Sequence, residues 1–193
     1  MKIGLYFGSF NPVHVGHLVI ANHMAEHSDL DQVWFVVTPH NPFKKKTSLL
    51  DNYQRLELVY LATKDYDKLS VSNIEFNLPQ PSYTINTLVH IQEKHPNHEF
   101  SLIMGEDNLN HFHKWKNSDV ILENHEIYVY PRLSKNKVED TPFTGHPKIH
   151  VINAPIMELS STFIRNCIKT GKNVKPMLPE NVWDYIDKMN FYR

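Results

Sequence analysis

Two histidines three residues apart, His14 and His17, close the stretch Gly8-Ser9-Phe10-Asn11-Pro12-Val13-His14-Val15-Gly16-His17. Its composition suits phosphate. Gly8 permits a turn and a close backbone approach, while the amides and positive end of a following helix favour an anion. At the start of that helix the two imidazoles fall on the same side, where either can donate a hydrogen bond to a phosphate oxygen. Gly16 between them removes a side chain that would block a flat base. Taken alone, such a pair is more often a solvated His14 and a satisfied, partly buried His17, so the context decides. A second stretch far along the chain has similar chemistry. Ser160, Ser161 and Thr162 can cap a helix whose free amides point outward, and Arg165 lies one turn further on. Hydroxyls, amides and a guanidinium in that order can hold a polyphosphate, although alone they also describe an ordinary cap with a surface arginine.

Both stretches need strands and helices to aim them. Apolar β-formers run from Lys2 to Phe7, stop at the turn-forming Gly8 to Pro12, and give way to a helix from His14 to about His27 with Leu18, Ala21, Met24 and Ala25 at helical spacing. Val33 to Thr38 is apolar enough for a strand covered on both faces of a parallel sheet. Pro39 to Leu50 reads as a loop carrying Lys44-Lys45-Lys46, and Asp51 with Gln54 has capping-box spacing at the head of a helix through Leu56, Val59, Tyr60 and Leu61. The alternation continues with a strand at Leu69 to Phe76, a helix at Thr84 to Lys94, a strand at Glu99 to Met104, short helical segments across Asn108 to Glu123 and a strand at Glu126 to Tyr130. Arg132 to His146 is polar and reads as a mobile loop. A strand at Lys148 to Ile152, a helix capped near Ser160 and stopped by Gly171, and a helix from Pro179 to Met189 follow. Connections of this kind predict right-handed crossovers and a single Rossmann-like, doubly wound α/β domain, with a mainly parallel sheet and helices on both faces.

The chain has 193 residues, which at about 150 residues per domain predicts one domain over residues 1–193. With 20 Lys plus Arg against 21 Asp plus Glu, its formal net charge is -1, so neither nucleic acid nor an anionic membrane is an expected partner. Cys167 is the single cysteine, and the start MKIGLYFGSFN lacks the basic region and apolar core of a secretory signal. A reducing, cytoplasmic setting is expected. The unusual count is 13 histidines, which raises metal binding as a question.

The stretch GSFNPVHVGH resembles the GxFDPxHxGH signature of nucleotidyltransferases with a His-x-Gly-His motif, with Asn11 where Asp is commoner. Leu159 to Arg165, LSSTFIR, resembles the second motif of that family, ISSTxIR. Pro81 to Leu88 is similar to the PSYTxDTL segment of bacterial nicotinate-mononucleotide adenylyltransferases, with Asn86 in place of Asp, and Gly105-Glu106-Asp107 followed by Trp115 is similar to their GADxxxxxxxW stretch. The family loop PPHK becomes Pro42-Phe43-Lys44-Lys45, and Arg132 matches an arginine that the family follows with Pro-Gly, here Leu133-Ser134. The resemblance extends from Lys2 to beyond Arg165.

It implies adenylyl transfer from ATP to nicotinate mononucleotide, with release of pyrophosphate and no covalent intermediate, as a step in NAD synthesis. His14, His17, Arg165 and Lys44 or Lys45 are implied at the reacting phosphates. Gly8, Ser9, Phe10, Gly16, Gly105, Ser161 and Thr162 are implied at ATP, and Asn11, Tyr83, Thr84, Asp107, Trp115 and Arg132 at nicotinate mononucleotide. Trp115 offers a flat face to a pyridinium ring. Magnesium is implied on the ATP phosphates, with few or no dedicated protein ligands. Three other readings compete: an adenylyltransferase for nicotinamide mononucleotide or phosphopantetheine, a metal protein using His14, His17, His111 and His113, and a nucleotide sensor that binds without releasing pyrophosphate.

Overall fold

The computed structural model describes residues 1–39, 49–132, 143 and 145–193; Lys44, Lys45 and most of the loops expected at 39–50 and 132–146 lie outside them. Six strands form one parallel sheet: β1 (Lys2–Gly8), β2 (Gln32–Val37), β3 (Leu69–Ser72), β4 (Glu99–Gly105), β5 (Ile127–Tyr130) and β6 (Ile149–Val151), in the order β3-β2-β1-β4-β5-β6. Helix α1 (Val15–His27) connects β1 to β2, α2 (Asn52–Thr63) connects β2 to β3, and α3 (Thr84–Lys94) connects β3 to β4. The shorter α4 (Glu106–Leu109) and α5 (Ser118–Asn124) precede β5, while α6 (Ser161–Lys169) and α7 (Glu180–Lys188) follow β6.

The apolar runs are long because both sheet faces are covered, and successive residues divide between the two. Tyr6, Phe35, Ile103 and Tyr128 pack against Met24 of α1, Leu58 of α2, Ile164 of α6 and Val182 of α7. On the opposite face Ile3, Leu5, Leu102 and Ile127 meet Leu88 and Ile91 of α3 and Ile121 of α5. A fully buried Leu or Phe of this kind stabilises the fold by about 1.5–3 kcal/mol relative to exposure. The expected fold class is thus the observed one.

Two local expectations are corrected. The strand expected at Leu69 to Phe76 ends at Ser72, and Ile74–Asn77 forms a 3₁₀ turn instead. Ser72 Oγ accepts the Ile74 amide at 3.3 Å, drawing the chain out of the sheet, and Glu75 turns inward to accept the Thr87 hydroxyl at 2.7 Å. Asp51 does cap α2, but through the Tyr53 amide at 2.9 Å, one residue earlier than a capping box with Gln54 would use.

Strand order reverses between β1 and β4, which is where a doubly wound sheet opens a crevice beyond the carboxyl ends of its strands. The turn after β1 and the Gly105–Asp107 segment after β4 both lie at that crevice. Histidine and phosphate-suited residues are therefore delivered by the topology itself.

Candidate functional site

From the end of β1 the chain turns through Ser9 and Phe10, whose φ of 44° lies in the left-handed region. Phe10 is 2% exposed, and its ring is turned into the core against Tyr6 and edge-on to His17 at 5.1 Å. Any contact of Phe10 with a ligand therefore comes from its main chain, and its side chain serves as backing for His17. Gly8 has no side chain because a Cβ there would stand 2.7 Å from the Phe10 ring.

His14 takes extended backbone at the N-cap of α1, and its ring stacks on His17 with centroids 3.6 Å apart. Its amide donates to His17 Nδ1 at 3.2 Å. A neutral His17 that accepts at Nδ1 carries its hydrogen on Nε2, which makes Nε2 a donor. Gly16 matters here as well, since a Cβ on it would come within 3.1 Å of the His14 ring.

His14 is buried, not solvated. Burial, and then the Arg132 charge, push its imidazole down from the usual 6.5 to about 4, so it is neutral at pH 7. Between those values the unfolded chain binds the proton and the folded chain does not, so protonation favours unfolding there. The stability tied to neutral His14 is complete above about pH 6.5 and is lost as pH falls towards 4, by about 2 kcal/mol between pH 7 and pH 5. Urea unfolding at the two pH values should show a smaller pH-dependent loss in His14→Gln than in the unaltered chain. Equal losses in both would remove His14 as the source.

The second phosphate-suited stretch meets the first. Ser160 caps α6 by accepting the Phe163 amide at 3.2 Å, and Ser161 Oγ donates to the Pro12 carbonyl at 2.8 Å. Arg165 Nη1 donates to the Asn11 carbonyl at 2.8 Å, while Nη2 donates to Thr162 Oγ1 at 3.3 Å. The N-terminus of α6, with the exposed Thr162, is thereby fixed beside the N-terminus of α1.

On the β4 side, Arg132 Nε lies 3.5 Å from Asp107 Oδ1 and Arg132 Nη2 donates to the Tyr130 hydroxyl at 3.1 Å. Gly105 leaves the space they share: a Cβ there would be 2.5 Å from Asp107 Oδ1 and 3.0 Å from Arg132 Nε. Tyr83 stands at the N-cap position of α3, without a side-chain capping bond, and is 39% exposed, with the half-buried Thr84 following it. Lys116 Nζ sits 4.6 Å from the Tyr83 ring centroid, which brings the Tyr83 and Trp115 segments together. Trp115 itself is half-buried and packs edge-on against Phe112 at 5.5 Å, so part of it is core and part of it faces out.

Asn11 is only 3% exposed, and its Oδ1 accepts the Leu50 amide at 3.2 Å and the Tyr192 hydroxyl at 2.9 Å. Tyr192 and Arg55, which binds the Ser9 carbonyl, are site-supporting residues that the sequence reading missed. Arg55 had a usable signal: it stands on the same helix face as Leu58, Val59 and Ala62. Among the described residues no group of three or more His, Cys, Asp and Glu side chains is arranged to hold a metal, and His111 Nδ1 pairs with the Asp107 carbonyl at 2.9 Å. No helix among the described residues is long and apolar enough to cross a membrane.

A model of the cytidylyltransferase-like family matches residues 5–167. The chain is 69% identical over 193 residues to a Flavobacterium johnsoniae protein named "Probable nicotinate-nucleotide adenylyltransferase", with 100% of both chains covered. A protein of the same name from Bacteroides fragilis is 44% identical over 189 residues, covering 96% of this chain and 90% of its own. Among solved structures, Plasmodium falciparum nicotinic acid mononucleotide adenylyltransferase complexed with NaAD matches with a TM-score of 0.80 over 99% of this chain and 97% of that one. At 21% sequence identity this is a likeness of fold.

Proposed function

Because the chain belongs to the cytidylyltransferase-like family, and within it to the nicotinate-nucleotide adenylyltransferases, we propose that the crevice between β1 and β4 is where it transfers the adenylyl group of ATP to nicotinate mononucleotide. The products are nicotinate adenine dinucleotide and pyrophosphate, which makes the reaction a step of NAD biosynthesis. The observation that carries this reading is the meeting of two distant phosphate-suited stretches, with Ser161 and Arg165 bonded to the carbonyls of Pro12 and Asn11. Residues 1–193 act in it as one unit, in the cytoplasm.

In this reading the 5′-phosphate of nicotinate mononucleotide attacks the α-phosphorus of ATP. One P–O bond forms there as the bond to the β-phosphate oxygen breaks in line, and pyrophosphate leaves with its electron pair. The attacking oxygen is already an anion, so the protein supplies position and charge stabilisation in place of a nucleophile. His17 Nε2 donates to a phosphate oxygen, with His14 stacked behind it to hold the ring. The α6 amides, Ser161, Thr162 and Arg165 receive the triphosphate, Gly8, Ser9, Phe10, Gly16 and Gly105 bring main chain close to ATP, and Lys44 or Lys45 adds positive charge. Asn11, Tyr83, Thr84, Asp107, Trp115 and Arg132 form the acceptor side, with Trp115 against the pyridinium ring. Magnesium enters as part of the Mg-ATP substrate. Imidazoles, hydroxyls and guanidinium groups suit phosphate oxygens better than a hard cation.

Pyrophosphate release with Mg-ATP and either nicotinate mononucleotide, nicotinamide mononucleotide or phosphopantetheine tests the assignment, with products identified by mass. The acid is expected to react faster than the amide by at least about tenfold, because a site that bonds a carboxylate leaves donors unmet by an amide. Turnover with phosphopantetheine alone would keep the phosphate site and overturn the acceptor residues. Binding of ATP without pyrophosphate release would favour the sensor.

A further inference from the structure

Arg55 is fully buried, on the face of α2 that Leu58, Val59 and Ala62 continue into the core. A guanidinium in such surroundings must find an acceptor for each N–H. Nε donates to the Leu50 carbonyl at 3.0 Å. Nη1 donates to the carbonyls of Ser9 at 2.6 Å and Thr38 at 2.9 Å, and Nη2 to the Pro39 carbonyl at 3.3 Å and Asn52 Oδ1 at 2.7 Å. All five donors of the group are thus engaged, and each acceptor is an uncharged oxygen. Burial lowers its pKa only to about 10, so the charge persists at neutral pH.

These oxygens come from three segments: the turn after β1, the end of β2 and the approach to α2. Their carbonyls have left the regular sheet, and no apolar side chain of the same volume could join them. Ser9 is followed by Phe10, whose ring braces His17 edge-on. A carbonyl released at Ser9 frees that brace, and a shift of about 1 Å in a positioned group can lower a rate by about 10²-fold.

We propose that Arg55 is a positioning residue for adenylyl transfer: it fastens the Ser9–Phe10 turn to the end of β2 and so holds His17 in place. The inference rests on the assignment of His17 to the reacting phosphates. Its effect falls on kcat, because the α6 end of the site, which Arg55 does not touch, still receives ATP. Lysine has three N–H groups and cannot reproduce the planar fork, so Arg55→Lys keeps the charge but loses part of the clamp.

The experiment compares Arg55→Lys, Arg55→Met and the core variant Val59→Ala on the same helix, each assayed well below its Tm. Arg55→Lys should lower kcat by about tenfold or more with KM for nicotinate mononucleotide within about threefold, and Arg55→Met should lose at least about tenfold more. Val59→Ala should lower Tm while kcat stays within about twofold. The imidazole Cε1–H resonances of His14 and His17 in the ligand-free protein should move in Arg55→Lys and stay in Val59→Ala. That readout does not need turnover, so it judges the clamp even if the acceptor assignment fails. An unaltered chain that reacts normally beside an Arg55→Lys variant with unchanged kcat and resonances would overturn the inference alone. So would a Val59→Ala variant that loses as much kcat as Arg55→Lys. If Arg55→Met does not fold, Arg55→Lys decides.

Discussion

His17→Ala should lower turnover of Mg-ATP and nicotinate mononucleotide by about 10²- to 10³-fold while the protein folds normally, the size of loss expected when one positioned donor to a transition-state oxygen is removed. The ring is fixed from both sides, by the His14 stack and by the edge of Phe10, and the His14 amide sets which nitrogen carries the hydrogen. A donor held in this way loses little freedom when the phosphate becomes more charged. Its value is greatest in the transition state. Folding should survive because α1 is anchored by Leu18, Ile20, Ala21, Met24 and Ala25, all buried, and His17 is not among them. The measurement is steady-state pyrophosphate release, with circular dichroism and Tm as controls. A variant with normal folding and an unchanged rate would take His17 out of the mechanism.

Arg165→Ala should lower kcat/KM for ATP by about 10²-fold, since it removes charge-assisted hydrogen bonds and the tie between α6 and the turn after β1. Two of its bonds, to the Asn11 carbonyl and Thr162 Oγ1, orient the guanidinium from two directions. The remaining N–H groups of the fork are then directed by the protein and need no reorganisation to meet a phosphate. Arg165→Lys should recover only part of the loss, because a point charge cannot make the Asn11 and Thr162 bonds and a phosphate contact together. Full recovery in the lysine variant would show that charge alone is used there and that the fork is idle.

Much of this was legible in the order of residues. The turn after β1 and the cap of α6 announce themselves through residue types whose phosphate chemistry is local, and apolar runs such as Val33 to Val37 foretell strands covered on both faces. What stayed hidden depends on contacts made over distance. A charged residue in a helix reads as a solvated face, so Arg55 escapes unless its place on the apolar stripe is weighed above its charge. Tyr192 acts on Asn11 from 181 positions away, and nothing in its neighbourhood says so. The end of β3 was missed because Ile74 and Phe76 continue the apolar pattern, whereas Ser72 ends the strand with one side-chain bond. The depth of His14 was missed for a different reason. Tertiary packing, not the local motif, keeps that imidazole from water, and the Arg132 charge then adds to the lowering of its pKa.

The tie between Tyr192 and Asn11 also bears on the order in which the molecule is made. The turn after β1 is translated within the first dozen or so residues, while the Arg165 guanidinium and the Tyr192 hydroxyl that tie it at Asn11 arrive 154 and 181 positions later. A chain still emerging from the ribosome can pair β1 with β2 and set the Arg55 clamp on Ser9, yet its turn lacks both ties at Asn11. Synthesis therefore runs ahead of assembly, and a chain that has not reached Tyr192 lacks part of what holds that turn.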